Sequence, residues 1–142
     1  MDRLSKTEIN ALDEALDDEY KAWATYDQVI EDFGPVRPFI NIRESESRHI
    51  DALHQLYSDY GLAPPDNDWI GKAPHFESVK SACAAGVQGE IDNLELYKRI
   101  KQSTDREDIL RVFDNLSEAS QQRHLPAFER CLQRRRYRGD CD

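Results

Sequence analysis

Apolar residues recur in steps of three and four along four long segments of the chain. This spacing is typical of helices that bury one face, so we predict four of them. They run from about 5 to 33, from about 38 to 60, from about 76 to 102, and from about 106 towards the arginines at 134–136. Clusters of Gly and Pro separate the first three, and Ser5 with Glu8 has the capping-box pattern of a helix start. The predicted fold class is all-α.

The two halves of the chain repeat one another. Glu19 and Glu90 are each followed by a tyrosine after seven residues. Two motifs that end in histidine form a second repeat, Glu46-x-x-His49 and Gln121-x-x-His124. We therefore predict two helical hairpins. One long crossover at about 61–75 joins them, since it reaches roughly 50 Å when extended and a helix of the chain is about 36 Å long.

Composition limits the function classes. The 142 residues suit one domain over 1–142, with a basic tail at about 133–142. The formal charge of −9 argues against nucleic-acid binding, because phosphate contacts need Lys and Arg. No segment has the apolar length of a membrane span or a signal peptide, so we expect a cytoplasmic protein. Cys83, Cys131 and Cys141 lack paired spacing and are expected to be ordinary thiols.

Ionisable side chains interrupt the middle of each apolar stripe. Glu and His three residues apart share a helix face, so their oxygen and nitrogen can bind one metal ion. Three converging carboxylates would repel by about 4 kcal/mol per pair, which favours a cation among them. A metal-free network, with Glu19 bonded to Tyr97 or Tyr26, is the alternative. The candidate ligands are Glu19, Glu46, His49, Glu90 and His124, with Gln121 where a further carboxylate is expected.

Four motifs carry a family resemblance: Glu19-x-x-Ala22-x-x-x-Tyr26, Asn41-Ile42-x-x-x-Glu46-x-x-His49, Gly86-x-x-x-Glu90 and Ser120-x-x-x-His124-Leu125-x-Ala127-Phe128. With them the chain resembles the ferritin-like superfamily, rubrerythrin and its relatives included, from about residue 4 to 132. It is most similar to the DUF2202 family of ferritin-like proteins of unknown function. The resemblance implies a ferritin-like four-helix bundle with a metal site, commonly di-iron, between the helices.

Two residues depart from that pattern. Gln121 stands where the second bridging Glu is usual. Pro126 lies inside the fourth helix and cannot donate a backbone hydrogen bond to residue 122, so we expect a bend beside His124.

These features predict a protein that binds one or two divalent metal ions, iron first, with Mn and Zn as alternatives. Glu46 is the candidate bridging ligand. Reduced iron with an open coordination position can react with O₂ or peroxide, so iron oxidation, peroxide reduction and oxidase chemistry all stay open. The alternatives are a metal-storage or metal-sensing protein, a structural bundle with a degenerate site, and an interaction protein with an acidic surface. A homodimer is compatible with each.

Overall fold

The computed structural model describes residues 3–134 and has no strand within that range. The helices are α1 (Lys6–Phe33), α2 (Phe39–Asp59), α3 (Val79–Ile100), α4 (Glu107–Ala119) and α5 (Leu125–Gln133). A π-helical segment, Ser120–His124, joins α4 to α5 without a break, so these three pieces form the fourth helical rod. The prediction of an all-α bundle is confirmed. The predicted basic tail lies almost wholly outside the described residues, as does Cys141.

The capping box at the start of α1 also joins the first and fourth rods. The Ser5 hydroxyl accepts a hydrogen bond from the Glu8 amide at 3.1 Å, and the Glu8 carboxylate accepts one from the Ser5 amide at 2.8 Å. The other Glu8 oxygen accepts from Thr104 and Arg106, which precede α4. This local start signal therefore also positions the rod that carries His124.

The non-helical connection between α2 and α3 packs against α1. The Tyr20 hydroxyl donates to the Pro65 carbonyl at 2.7 Å, and the Trp69 indole donates to Asp17 at 2.9 Å. The connection extends beyond the predicted 61–75, because α3 begins at Val79, capped by Ser78, rather than at about 76. A ferritin-like crossover stays a prediction.

Two apolar clusters occupy opposite ends of the bundle. One includes Leu16, Leu53 and Phe113, and the other includes Phe39 and Phe128. On α2, α3 and the fourth rod the buried ionisable residues lie between the positions that contribute to these two clusters, and on α1 Glu19 lies beside Tyr20, the last position that α1 contributes to the first cluster. The apolar ends stabilise the fold by burial, so the middle of the bundle can hold ionisable side chains.

A disulfide joins α3 to α5 at the second cluster. Cys83 and Cys131 lie 48 residues apart, with a Cα–Cα distance of 6.3 Å. The prediction of ordinary thiols is therefore wrong for this pair, because helix packing rather than sequence spacing brings the two residues together. One turn along α3, a Cβ at Gly86 would lie 2.8 Å from the Phe128 ring, so this glycine permits the close approach of the two helices.

The described part of the chain contains no candidate membrane-spanning helix. None of its helices is both long and apolar enough to cross a bilayer.

Candidate metal centre

Five of the six predicted site residues meet in the middle of the bundle, each between 1% and 7% exposed. Every rod contributes at least one of them, because each lies on the inward stripe of its helix. They are Glu19 on α1, Glu46 and His49 on α2, Glu90 on α3, and His124 at the end of the π-helical segment.

The five residues form two groups that share Glu46. In the first group His49 Nδ1 lies 3.3 Å from Glu19 Oε1 and 3.2 Å from Glu46 Oε1. In the second, His124 Nδ1 lies 3.5 Å from Glu46 Oε2 and 3.4 Å from Glu90 Oε1. In each group one oxygen or nitrogen from every member lies within 4.8 Å of the others, so each group could hold one metal ion. Glu46 directs a different oxygen towards each group.

Two tyrosines hold the outer carboxylates. The Tyr97 hydroxyl donates to Glu19 Oε2 at 2.6 Å, and the Tyr26 hydroxyl donates to Glu90 Oε2 at 2.6 Å. Each tyrosine of the internal repeat therefore donates to the glutamate of the other half of the chain, not to the glutamate of its own half. Of the two partners considered for Glu19, the structure selects Tyr97. These bonds leave the inner oxygens facing the histidines.

Ser45 connects the two histidines and was missed in the sequence. Its hydroxyl lies 3.3 Å from His49 Nε2 and 2.9 Å from His124 Nε2. The two imidazole rings are stacked with centroids 5.4 Å apart. Because Ser45 precedes His49 by four residues, it shares that helix face, and this spacing was the available signal.

An amide network closes the other side of Glu19. Asn93 donates to Asp18 at 2.7 Å and to Glu19 Oε2 at 3.2 Å, and its own oxygen accepts from the Ser120 hydroxyl at 2.8 Å. Asn93 thereby links α1, α3 and the π-helical segment. Such surrounding hydrogen bonds fix the orientation of candidate ligands.

The unpaired atoms of the centre are those that face inward. Glu46 Oε1, Glu90 Oε1 and His124 Nδ1 are buried and make no hydrogen bond in the described structure. Burying polar atoms without a partner costs free energy, and it is rare in native proteins. Carboxylate oxygens and an imidazole nitrogen are also suitable ligands for divalent transition metals. Because these atoms lack hydrogen-bond partners and are of the types that bind metals, the five candidate ligands fit a bound metal ion.

The charges of the centre are unbalanced without a cation. The pKa of Glu46 is raised well above its usual range, because the carboxyl is buried and lies beside the charges of Glu19 and Glu90. Burial also raises the pKa of Asp18 to about 7, with help from the same two charges. The pKa of Glu19 falls to about 2, since the neighbouring Glu46, His49 and Tyr97 together outweigh the effect of burial. A bound metal ion would bring positive charge beside Glu46 and so favour its ionised form.

Gln121 is the residue that the structure does not bring to the centre. Its side chain is exposed, so the prediction that it occupies a second bridging position is wrong. The reason is the π-helical segment, in which a turn takes roughly one residue more than in an α-helix. A residue three positions before His124 therefore does not share its inward helix face. Pro126 follows this segment near the start of α5, and His124 stays buried and directed towards Glu46 and Glu90.

Comparison with known proteins gives a fold but no activity. No family model matches the sequence. The chain is 36% identical to the uncharacterized protein MJ0754 of Methanocaldococcus jannaschii over 66% of its own length, and it spans 58% of that relative. The crystal structure of hypothetical protein MJ0754 from Methanococcus jannaschii has a TM-score of 0.83 at 28% identity. That similarity covers 94% of this chain and 83% of the other.

Two cavities reach the centre from different sides. The acidic cavity, about 460 Å³, lies between α1 and α3 and is lined by Asp18, Glu46, Glu90 and Asp92 among others, together with Lys21. The arginine cavity, about 390 Å³, lies between α2 and the fourth rod. Its charged lining residues are Arg37, Arg48, Arg123, Arg130 and Arg134, and Ser45 and His124 also line it.

Proposed function

We propose that this protein is a ferritin-like metal-binding protein with two divalent ions, iron first, between its helices. One observation carries the proposal. Glu46 contributes one oxygen to each of two buried Glu and His groups, and three of the inward atoms of those groups have no hydrogen-bond partner. In carboxylate-bridged di-metal bundles, ligands likewise come from all four helices and include Glu-x-x-His motifs. The resemblance to the DUF2202 family supports the same proposal.

The ligand types favour transition metals over Ca²⁺ or Mg²⁺. Each group offers an imidazole nitrogen beside carboxylate oxygens, a mixture that suits Fe, Mn and Zn. Two divalent ions bring four positive charges, against three carboxylates from Glu19, Glu46 and Glu90. The centre is thus short of one negative charge when both ions are bound.

The surrounding side chains prepare both histidines to bind through Nδ1. A ligating nitrogen must be unprotonated, so the ring proton belongs on Nε2. The Ser45 oxygen has two lone pairs and can accept from the Nε2 atoms of both His49 and His124. The hydroxyls of Tyr26 and Tyr97 hold the outer carboxylate oxygens by donating hydrogen bonds to them. These contacts fix the ligands before an ion arrives, which reduces the entropic cost of binding it.

Bound iron would supply electrons for the reduction of O₂ or peroxide. Iron oxidation, peroxide reduction and oxidase activity are the three activities that we propose to test on the loaded protein. The role of the chain in each is to hold the ions, keep the ligands oriented and limit the access of water.

Metal content tests the proposal directly. Protein purified without chelator, or reloaded with Fe²⁺, Mn²⁺ or Zn²⁺, should hold two equivalents by elemental analysis. The loaded form should also unfold at a higher temperature, because a ligand at one hundred times its Kd adds about 2.7 kcal/mol to the free energy of unfolding. Absence of bound metal, together with identical melting curves, would leave a structural polar core instead.

A further inference from the structure

The arginine cavity concentrates positive charge in an acidic protein. The chain has 28 Asp and Glu against 19 Lys and Arg. Of the eleven described residues that line this cavity, five are Arg and none is Asp or Glu. Like charges placed close together repel, so binding of an anion among them would be favoured.

Two helical surfaces build this cavity. Asn41, Ser45 and Arg48 follow one face of α2 at spacings of four and three. Across from them, Arg123 and Arg130 follow the fourth rod seven residues apart. These residues therefore line one space from two helices, rather than lying scattered over the surface.

Three of the arginines are available to an external partner. Among the residues that the structure describes, no carboxylate forms an ion pair with Arg48, Arg123 or Arg130. All three are exposed. A guanidinium group presents paired N–H donors that match the geometry of a phosphate or a carboxylate. The volume of about 390 Å³ falls in the range of small-molecule sites.

The inner end of the cavity reaches one candidate ligand of the metal centre, His124. Ser45 and His124 line it, at 7% and 2% exposed. His124 Nδ1 is one of the buried atoms without a hydrogen-bond partner. An oxyanion held by the arginines would lie on this side of the centre. It would supply the negative charge that three carboxylates leave missing when two divalent ions are bound.

We propose that Arg48, Arg123 and Arg130 bind a small oxyanion, a phosphate- or carboxylate-bearing molecule, as the substrate or completing ligand of the metal centre on its His124 side. The assignment of this anion to the metal centre rests on the proposed function. Binding of the anion by the arginines does not require metal, and this permits separate tests of the two parts.

The first test uses the metal-free full-length protein. Inorganic phosphate and succinate, each titrated calorimetrically at constant ionic strength in chloride, represent the two kinds of oxyanion. We expect at least one to bind, and Arg48→Gln and Arg123→Gln each to weaken it tenfold or more. Arg111→Gln is the matched control, because Arg111 is exposed on α4 and does not line the cavity. Equal binding by all three variants, or no binding of either anion to the wild type, would overturn the proposal.

The second test uses protein loaded with Co²⁺, whose visible absorption reports its ligands. Addition of the binding anion should change the spectrum of the wild type, with a midpoint raised tenfold or more in Arg123→Gln and unchanged in Arg111→Gln. A spectrum that stays unchanged at saturating anion would overturn the placement beside the metal. If Co²⁺ fails to bind while arginine-dependent anion binding persists, the proposed function fails and the anion site stands.

Discussion

The two cavities that reach the candidate metal centre differ in charge, although they lie in one small bundle. Between α1 and α3, the lining carboxylates include Asp18 and Asp92, together with two candidate ligands, Glu46 and Glu90. Between α2 and the fourth rod, the charged lining residues are arginines, with His124 at the inner end. The candidate centre lies between them, because Glu46 and Glu90 line the first cavity and His124 lines the second.

This difference indicates separate routes for ions of opposite sign. Charged clefts with low-dielectric walls concentrate ions of the opposite charge and speed their arrival. Divalent cations are therefore expected to enter beside Asp18 and Asp92, and oxyanions beside Arg48 and Arg123. The two ligand groups that share Glu46 are alike, but the cavities beside them carry opposite charge. Four predictions test this arrangement, starting with Glu46, the carboxylate that the two ligand groups share.

Replacement of Glu46 should have the largest effect. Glu46→Gln removes the negative charge that both groups share and replaces one of the two oxygens with an amide nitrogen, so we expect metal affinity to fall at least 100-fold, beyond the usual cost of losing a supporting residue. Fold stability without metal should change little, because burial beside Glu19 and Glu90 raises the pKa of Glu46 and so favours its protonated form, which Gln resembles. Calorimetric titration with Zn²⁺ and urea unfolding measure the two quantities.

A matched control for this variant is Glu44→Gln, which alters an exposed glutamate on the same helix. It should bind metal as the wild type does. Full metal content in folded Glu46→Gln would show that the centre does not depend on its shared carboxylate.

Loss of the disulfide should have the next largest effect. The bond joins α3, which lines the acidic cavity, to α5, which lines the arginine cavity, and it closes a segment of 48 residues. Cys83→Ala with Cys131→Ala should lower the free energy of unfolding by about 2–4 kcal/mol. Zn²⁺ affinity should fall several-fold, since Glu90 and His124 lie on the rods that the bond connects. Urea unfolding and titration measure these changes.

Cys141→Ala provides the control for the loss of a cysteine, and we expect it to leave both values unchanged. If the double variant unfolded at the urea concentration of the wild type, helix packing alone would hold the two sides together.

The acidic route should show a smaller, kinetic effect. Asp92→Asn removes one charge from the acidic cavity without touching a candidate ligand, so we expect Co²⁺ uptake to slow a few-fold at low salt. Stopped-flow absorbance measures the rate. The difference should vanish at about 0.5 M salt, where the Debye length is only a few ångströms. Asp105→Asn, at an exposed position outside the cavity, should leave the rate unchanged. Slower uptake in Arg123→Gln instead would reverse the assignment of the two routes.

The inward stripes were predictable because helical periodicity determines which side chains share a face. Glu19, Glu46, His49 and Glu90 lie on regular α-helices, where steps of three and four repeat without interruption. Packing the apolar faces of these helices against one another is enough to bring the four side chains together. His124 was also placed correctly, through its resemblance to the motif that contains His49.

Features that depend on tertiary contacts were not predictable in this way. The Cys83–Cys131 bond and the arginine cavity each combine residues from helices distant in sequence. An isolated arginine at helical spacing has the pattern of a solvated surface, so the sequence alone does not distinguish Arg48 and Arg123 from other exposed residues. Their shared orientation appears only once α2 and the fourth rod are side by side.

The smallest expected effect is that of Gln121→Glu. If the fourth rod were a regular α-helix, this change would complete a second Glu-x-x-His motif and add a bridging carboxylate. In the structure the π-helical segment leaves residue 121 exposed, outside both cavities. We therefore expect Zn²⁺ stoichiometry and affinity to stay within about twofold of the wild type, since one exposed charge is well screened. Tighter binding, with reduced stability of the metal-free form, would mean that the segment rewinds and turns the new carboxylate inward.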